Sequence, residues 1–124
     1  MADMTTYVGI EPRSVKITGT AVSRGYRLTR GSNGLLAVAD ASLRGEYVSL
    51  HDIAASESGP AASSSGGGRV PALSVEAAAV GDSAYSAAGG KFSKTASGNV
   101  VMGRWTQAAN VANVLGEVEL LDVL

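Results

Sequence analysis

Tyr26-Arg27-Leu28-Thr29-Arg30-Gly31-Ser32-Asn33-Gly34-Leu35-Leu36-Ala37-Val38-Ala39 is the stretch on which the fold is decided. Tyr26, Leu28 and Arg30 alternate with Arg27 and Thr29, so successive side chains fall on opposite faces of a strand. Asn33-Gly34 then favours a turn whose backbone needs positive φ, and that turn folds the chain back onto Leu35–Ala39. The reading is a β-hairpin, and the same grammar extends in both directions.

Towards the N-terminus, Ser14–Thr18 puts Val15 and Ile17 on one face. Towards the C-terminus, Glu46–Ile53 alternates Tyr47, Ser49, His51 and Ile53 against Val48, Leu50 and Asp52. Ala54–Gly68 (AASESGPAASSSGGG) is low in complexity and offers nothing to pack, which predicts a long mobile loop over 56–68. Arg69–Val75 resumes as a strand, restricted by Pro71 to an edge or a strand start. A second hairpin pairs Ser83–Ser86 with Lys91–Lys94 across Ala87-Ala88-Gly89-Gly90. Ser97-Gly98-Asn99 turns into Val100–Gln107, and Ala108–Leu115 leads to a last strand, Gly116–Val123. A helical turn fits only Ala77–Val80 and Ala108–Leu115, each too short for a helix with a packed face. The expectation is an all-β protein: one small barrel- or sandwich-like domain of short antiparallel strands over 14–124, behind an extended N-terminal arm over 1–13.

The halves also rhyme. Ala21-Val22 leads into a hairpin and then Gly45-Glu46-Tyr47-Val48-Ser49-Leu50. Ala79-Val80 leads into a hairpin and then Gly116-Glu117-Val118-Glu119-Leu120-Leu121. An old duplication and two meanders sharing turn chemistry both account for this.

At 124 residues the chain makes one domain. Val, Leu, Ile and Phe number 28, just above the roughly one-fifth below which chains stay disordered, so the core should form but be thin. A docking surface would supply burial that the monomer lacks. The net charge of −1 carries no basic excess of the kind that phosphate backbones select, so no nucleic-acid partner is expected. Arg13, Lys16, Arg24, Arg27, Arg30 and Arg44 make the first half positive, whereas Glu117, Glu119 and Asp122 make the end acidic. Complementary contacts between subunits and a solvated surface are both consistent with that asymmetry. With no cysteine there is no disulfide and no thiolate chemistry. Met1–Pro12 lacks a signal-peptide pattern, and no apolar run approaches the ~18 residues of a membrane span. Synthesis in a cytoplasm and no membrane partner are expected.

Catalytic patterns are looked for in vain. His51 lies beside Asp52, but adjacent strand residues face apart, so Ser49, His51 and Asp52 form no local triad. One histidine without cysteine makes no usual zinc site, and no calcium-loop spacing occurs. Gly89-Gly90-Lys91-Phe92 lacks both the first glycine and the hydroxyl residue of a phosphate loop. Glu117 and Glu119 share a strand face, which reads as a solvated or interfacial face. Tyr26 among Arg24, Arg27 and Arg30 is the nearest approach to a base-stacking platform, while Trp105, Phe92 and Tyr85 read as core. No catalytic, cofactor-binding or metal-binding residue is assigned, and the chain is not expected to be an enzyme.

One longer pattern remains. Val70-Pro71-Ala72, Ala79-Val80-Gly81-Asp82-Ser83-Ala84-Tyr85, Gly90-Lys91-Phe92-Ser93, Thr95 to Gly103 and Gly116-Glu117-Val118-Glu119-Leu120 follow one another in order. Together they resemble the capsid decoration (cement) proteins of tailed bacteriophages. The resemblance covers Arg69–Leu121. In the first half, Ser23-Arg24-Gly25 stands where that family usually has a Gly-Asp-led hairpin. The resemblance implies a β-barrel or sandwich-like subunit, usually a homotrimer, that clamps major capsid subunits from outside the virion and carries no catalytic site. A tail or fibre-attachment module and a carbohydrate- or cell-surface-binding β-module are the other readings. Within Met1–Pro12 the apolar residues Tyr7, Val8 and Ile10 have no use in a solvated tail. Tyr7, Ile10 and the adjoining Arg13 are therefore the expected partner-binding residues.

Overall fold

The computed structural model describes residues 12–121. Ten strands follow one another: β1 Arg13–Lys16, β2 Arg27–Arg30, β3 Leu36–Val38, β4 Tyr47–Ser49, β5 Ser58–Ser63, β6 Arg69–Ser74, β7 Ser83–Ser86, β8 Phe92–Ser93, β9 Val101–Gln107 and β10 Val114–Leu120. Among the described residues there is no α-helix. The one helical turn is a 3₁₀ turn at Ala88–Gly90 inside the second hairpin, not at either alanine-rich stretch. The all-β expectation holds.

The hairpin turned at Asn33-Gly34 forms β2 and β3, with Leu28 opposite Val38 and Arg30 opposite Leu36. It belongs to a five-stranded antiparallel sheet in the order β1-β5-β4-β2-β3. The second half closes into a five-stranded barrel, β10-β6-β8-β7-β9. Its seam is a parallel pairing of Ser74 with Phe92, so the strands are not all antiparallel. The first half has a counterpart of that seam in the parallel bridge from Ile17 to Leu36.

The two halves are one topology used twice. Substituting β6, β7, β8, β9 and β10 for β1 to β5 turns the first strand order into the second. The bridge from Val22 to Ile53 recurs 56 residues on, as Ala78 to Ala109. The hairpin registers recur at the same offset: Thr29 opposite Ala37 becomes Tyr85 opposite Ser93. So do loop hydrogen bonds, where Gly25 N to Ser49 O becomes Gly81 N to Trp105 O. In the first and last strands of each half the offset is one residue larger, so that Val15 opposite Gly59 becomes Ala72 opposite Gly116, and β10 carries a register irregularity at Glu117/Val118. The rhyme in the sequence thus marks a real structural repeat, but with the wrong partners. The run beginning Gly45-Glu46 is β4, whose equivalent is β9 and not the Gly116 strand.

Side-chain volumes explain why the repeat is faint in the sequence. The first core is filled by Val15, Ile17, Val22, Leu28, Leu36, Ile53 and Ala61. At the equivalent places the second half has Ala78 for Val22, Ala84 for Leu28 and Ala109 for Ile53. The lost volume returns as Trp105, where the first half has Ser49, and as Phe92 for Leu36. A core of conserved total volume tolerates such exchanges while its identities drift. Phe92 meets Trp105 edge to face at 6.4 Å.

The segment 56–68 is not a mobile loop. Its middle is β5, which lies between β1 and β4 with Ala61 and Ala62 fully buried. Small residues are what this position accepts: a Cβ added to Gly59 would fall 2.6 Å from the Ile53 side chain. Pro71 pairs with Glu117 of β10, while β8 reaches β6 only at Ser74, so the missing N–H falls where no second strand competes for it.

Candidate docking surfaces

Arg13 does not belong to an arm. It is the first residue of β1, opposite Ala61, and is exposed. Tyr7 and Ile10 lie outside the described residues. Beside Arg13 the first half opens into a cleft of about 550 Å³, lined by Arg13, Ser14, Lys16, Arg30, Leu36 and Tyr47 among others. Arg30 donates to Gly34 O at 2.8 Å and stands 3.6 Å from the Glu46 carboxylate, an exposed pair. Arg13 and Lys16 make no ion pair among the described residues, so the cleft mouth is positive.

A second feature escaped sequence reasoning: the halves are locked by arginines. Arg27 alternates as a strand residue should, but its side chain is fully buried. Its guanidinium donates to the carbonyls of Ala39, Asp40 and Leu43 in the first half and of Ala87 and Lys91 in the second. It also stands 6.0 Å from the Phe92 ring centroid. Burial lowers its pKa from the usual guanidinium range to about 10, so it stays charged at neutral pH. Arg44 reaches across in the same way, donating to Ser64 O in its own half and to Val101 O and Leu121 O in the other. Ser86 returns a bond, its hydroxyl donating to Ala41 O at 2.6 Å. Asp40 orders the loop beneath by accepting from the Ser42 N–H and hydroxyl, which hold its carboxyl below the usual range. A charged side chain serving backbone carbonyls leaves no local pattern, so only the alternation of β2 hinted that Arg27 has a face to fill.

Around this junction the apolar face of the first half closes onto the second. Val48, Leu50 and Ala62 join Val70 and Ala72 in the second core. The molecule therefore has two cores, and the larger takes side chains from both halves.

The remaining candidates are accounted for locally. His51 is exposed, and Asp52 accepts from the Arg24 N–H at 2.8 Å. Gly89-Gly90 ends the 3₁₀ turn under Arg27, and the ammonium of the next residue, Lys91, donates to Asn113 at 3.0 Å. Glu117 accepts from the Thr106 hydroxyl at 2.8 Å, and Glu119 is exposed opposite Arg104. Trp105 and Phe92 are fully buried, which removes them from any stacking surface. Among the described residues no three His, Cys, Asp or Glu side chains are grouped to hold a metal. No helix there is long and apolar enough to cross a membrane.

No protein-family model matches the chain, and no curated protein matches its sequence.

Proposed function

We propose that the protein is a structural subunit of a tailed-phage virion, a decoration or cement protein that binds the outside of the head across major capsid subunits. The observation that carries this reading is where the resemblance-bearing residues fall. Val70-Pro71 lies on β6 beside the barrel seam, Gly81-Asp82 forms the turn into β7, and Lys91-Phe92 leads the return strand β8. Gly98-Asn99 is the turn before β9, and Gly116 lies in β10, where an added Cβ would meet the Trp105 ring at 2.9 Å. Each piece of the pattern thus lies on a strand or at a corner of the barrel, which supports the reading. The partner in this reading is the major capsid protein, and the subunit, made in the host cytoplasm, ends on the outer surface of the virion as a homotrimer.

A cement stabilises a shell by binding the assembled lattice better than its free subunits. Two β units fastened by Arg27 and Arg44 suit that task, because a stiff bridge across a joint transmits restraint that a flexible one would not. The test uses heads purified from a deletion mutant of the encoding phage. Added protein should co-sediment with these heads to saturation, appear as regular outer knobs by electron microscopy, and raise the temperature at which they release DNA. Failure to bind mature heads at micromolar concentration would overturn the reading. Binding to isolated tails instead would move the protein to the tail or fibre-attachment class.

A further inference from the structure

One strand edge is covered in the second half and open in the first. The Ile17 N–H donates to Glu57 O at 3.1 Å, so Arg13, Val15 and Ile17 turn their backbone groups towards β5, and Ser14 and Lys16 turn theirs away from it. β3 meets this outer edge of β1 only from Ile17 onwards, where the Thr18 N–H donates to Leu36 O at 3.0 Å. Among the described residues the N–H groups of Ser14 and Lys16 and the Ser14 carbonyl have no partner, and they border the cleft beside Arg13. In the second half the same place is filled. Pro71, which has no N–H, stands for Ser14, and Leu73, which stands for Lys16, donates to Gly25 O at 3.2 Å. Val38 packs on Gly90, and Arg27 serves the carbonyls of Ala87 and Lys91. The equivalent hairpin tip, Gly31 to Leu35, is exposed apart from Leu35, and Gly34 has nothing within 4 Å of its Cβ position.

We propose that this cleft is a strand-addition site whose occupant is an extended, acidic segment of a partner protein, hydrogen-bonded to Ser14 and Lys16 along the free edge of β1. An open edge offers its ladder to any extended chain, so the residues round it must select which one. Here they select by charge. Arg13, Lys16 and Arg30 stand where the filled copy has Val70, Leu73 and Ser86, so three neutral rim positions have become three cations. Glu46, 3.6 Å from Arg30, is the one carboxylate in ion-pair contact with any of them among the described residues. Arg13 lies on the same face of β1 as the buried Val15, and Lys16 on the opposite, exposed face. Successive side chains of an added strand also point to opposite faces, so carboxylates at neighbouring positions meet a cation on either side. Like charges round one opening repel while it is empty, and an acidic occupant relieves that repulsion. The second half holds its own chain permanently behind a neutral rim. The first half, with a charged rim, takes a partner that comes and goes with ionic strength. This goes beyond the capsid reading, and failure of the head-binding experiment would leave it standing.

The probe is a short fluorescein-labelled peptide of alternating glutamate and valine, titrated with the full-length protein at low salt and followed by anisotropy. It should bind, and physiological salt, which screens charges over about 8 Å, should weaken it. A lysine–valine counterpart should bind at least about tenfold more weakly, and the double variant Arg13→Glu, Lys16→Glu should reverse that preference. Ser14→Pro separates the ladder from the charge. It removes one edge N–H, leaves every cation in place, and copies the residue that the second half carries at the equivalent position, so the strand accepts it. With circular dichroism unchanged, this variant should bind the acidic peptide about tenfold more weakly, as loss of a ladder hydrogen bond requires. Four results would each overturn the proposal. The first is no binding at millimolar peptide in low salt, the outcome if residues preceding Arg13 already fill the cleft. The second is equal binding of the acidic and lysine peptides. The third is a Ser14→Pro variant that binds as tightly as the parent, which would leave charge without a ladder. The fourth is a sedimenting mass that falls as peptide is added, which would give the cleft to a second copy of this chain.

Discussion

Replacing Arg27 should damage the protein through the carbonyls it leaves behind more than through the charge it removes. Five backbone oxygens accept from its guanidinium. Lys91 O and Asp40 O also accept backbone N–H groups, from Ala87 and Leu43, so they would keep a partner. Leu43 is exposed, and water can take over at its oxygen. Ala39 O and Ala87 O belong to buried residues and have no other donor among the described bonds. Each orphaned buried acceptor costs about 1–3 kcal/mol. Loss of the buried side-chain stem adds to that, and release of a charge that burial disfavours subtracts from it. Arg27→Ala should therefore lose about 4 kcal/mol, a large share of the ~5–15 kcal/mol of a typical domain. Arg27→Met restores the stem but not the donors and should still lose about 2 kcal/mol, as the two orphaned acceptors require. Equilibrium denaturation can be followed by the fluorescence of the single tryptophan, Trp105, and in parallel by far-UV circular dichroism. The two curves should coincide, because Val48, Leu50 and Ala62 of the first half complete the core around Trp105. A Met variant as stable as the parent would refute the reasoning, since apolar filling would then suffice and the carbonyls would not need their donor.

Two further outcomes follow from the same contacts. Ala62→Asp places a carboxylate in the fully buried seam between β5 and the second core and should cost about 3 kcal/mol or more, measured as a fall in thermal midpoint of about 10 °C. Asp40 has a folded-state pKa below 3.8, so its stabilising effect is present above that pH and is lost as pH falls through the lower folded value. Acid titration of the thermal midpoint should therefore show a loss setting in below about 3.8 that is reduced in Asp40→Asn, which retains an oxygen to accept from Ser42. An unchanged acid limb would remove Asp40 as its source.

Local sequence determined the elements whose signal lies within a few residues. Asn33-Gly34 placed the first hairpin, Gly89-Gly90 the second, and alternation marked both faces of β2 and β4, because a turn's φ and a strand's period are properties of neighbours along the chain. β5 was illegible for the opposite reason. Ser58–Ser63 has no apolar period of its own, and it is a strand because β1 and β4 offer ladders on either side, with Ile53 leaving room only for glycine at position 59. The repeat was half legible: its turns survive as glycines at 25 and 81 and at 34 and 90, while its core drifted by exchanging volume between Ser49 and Trp105 and between Leu28 and Ala84. Of the surface residues, Arg13 could be singled out from the sequence, but its place on β1 at the mouth of a positive cleft could not. The roles of Arg27 and Arg44 were decided wholly by tertiary structure. A guanidinium recognises backbone carbonyls, every residue has one, and only the docking of the first-half sheet on the second-half barrel determines which carbonyls come within reach.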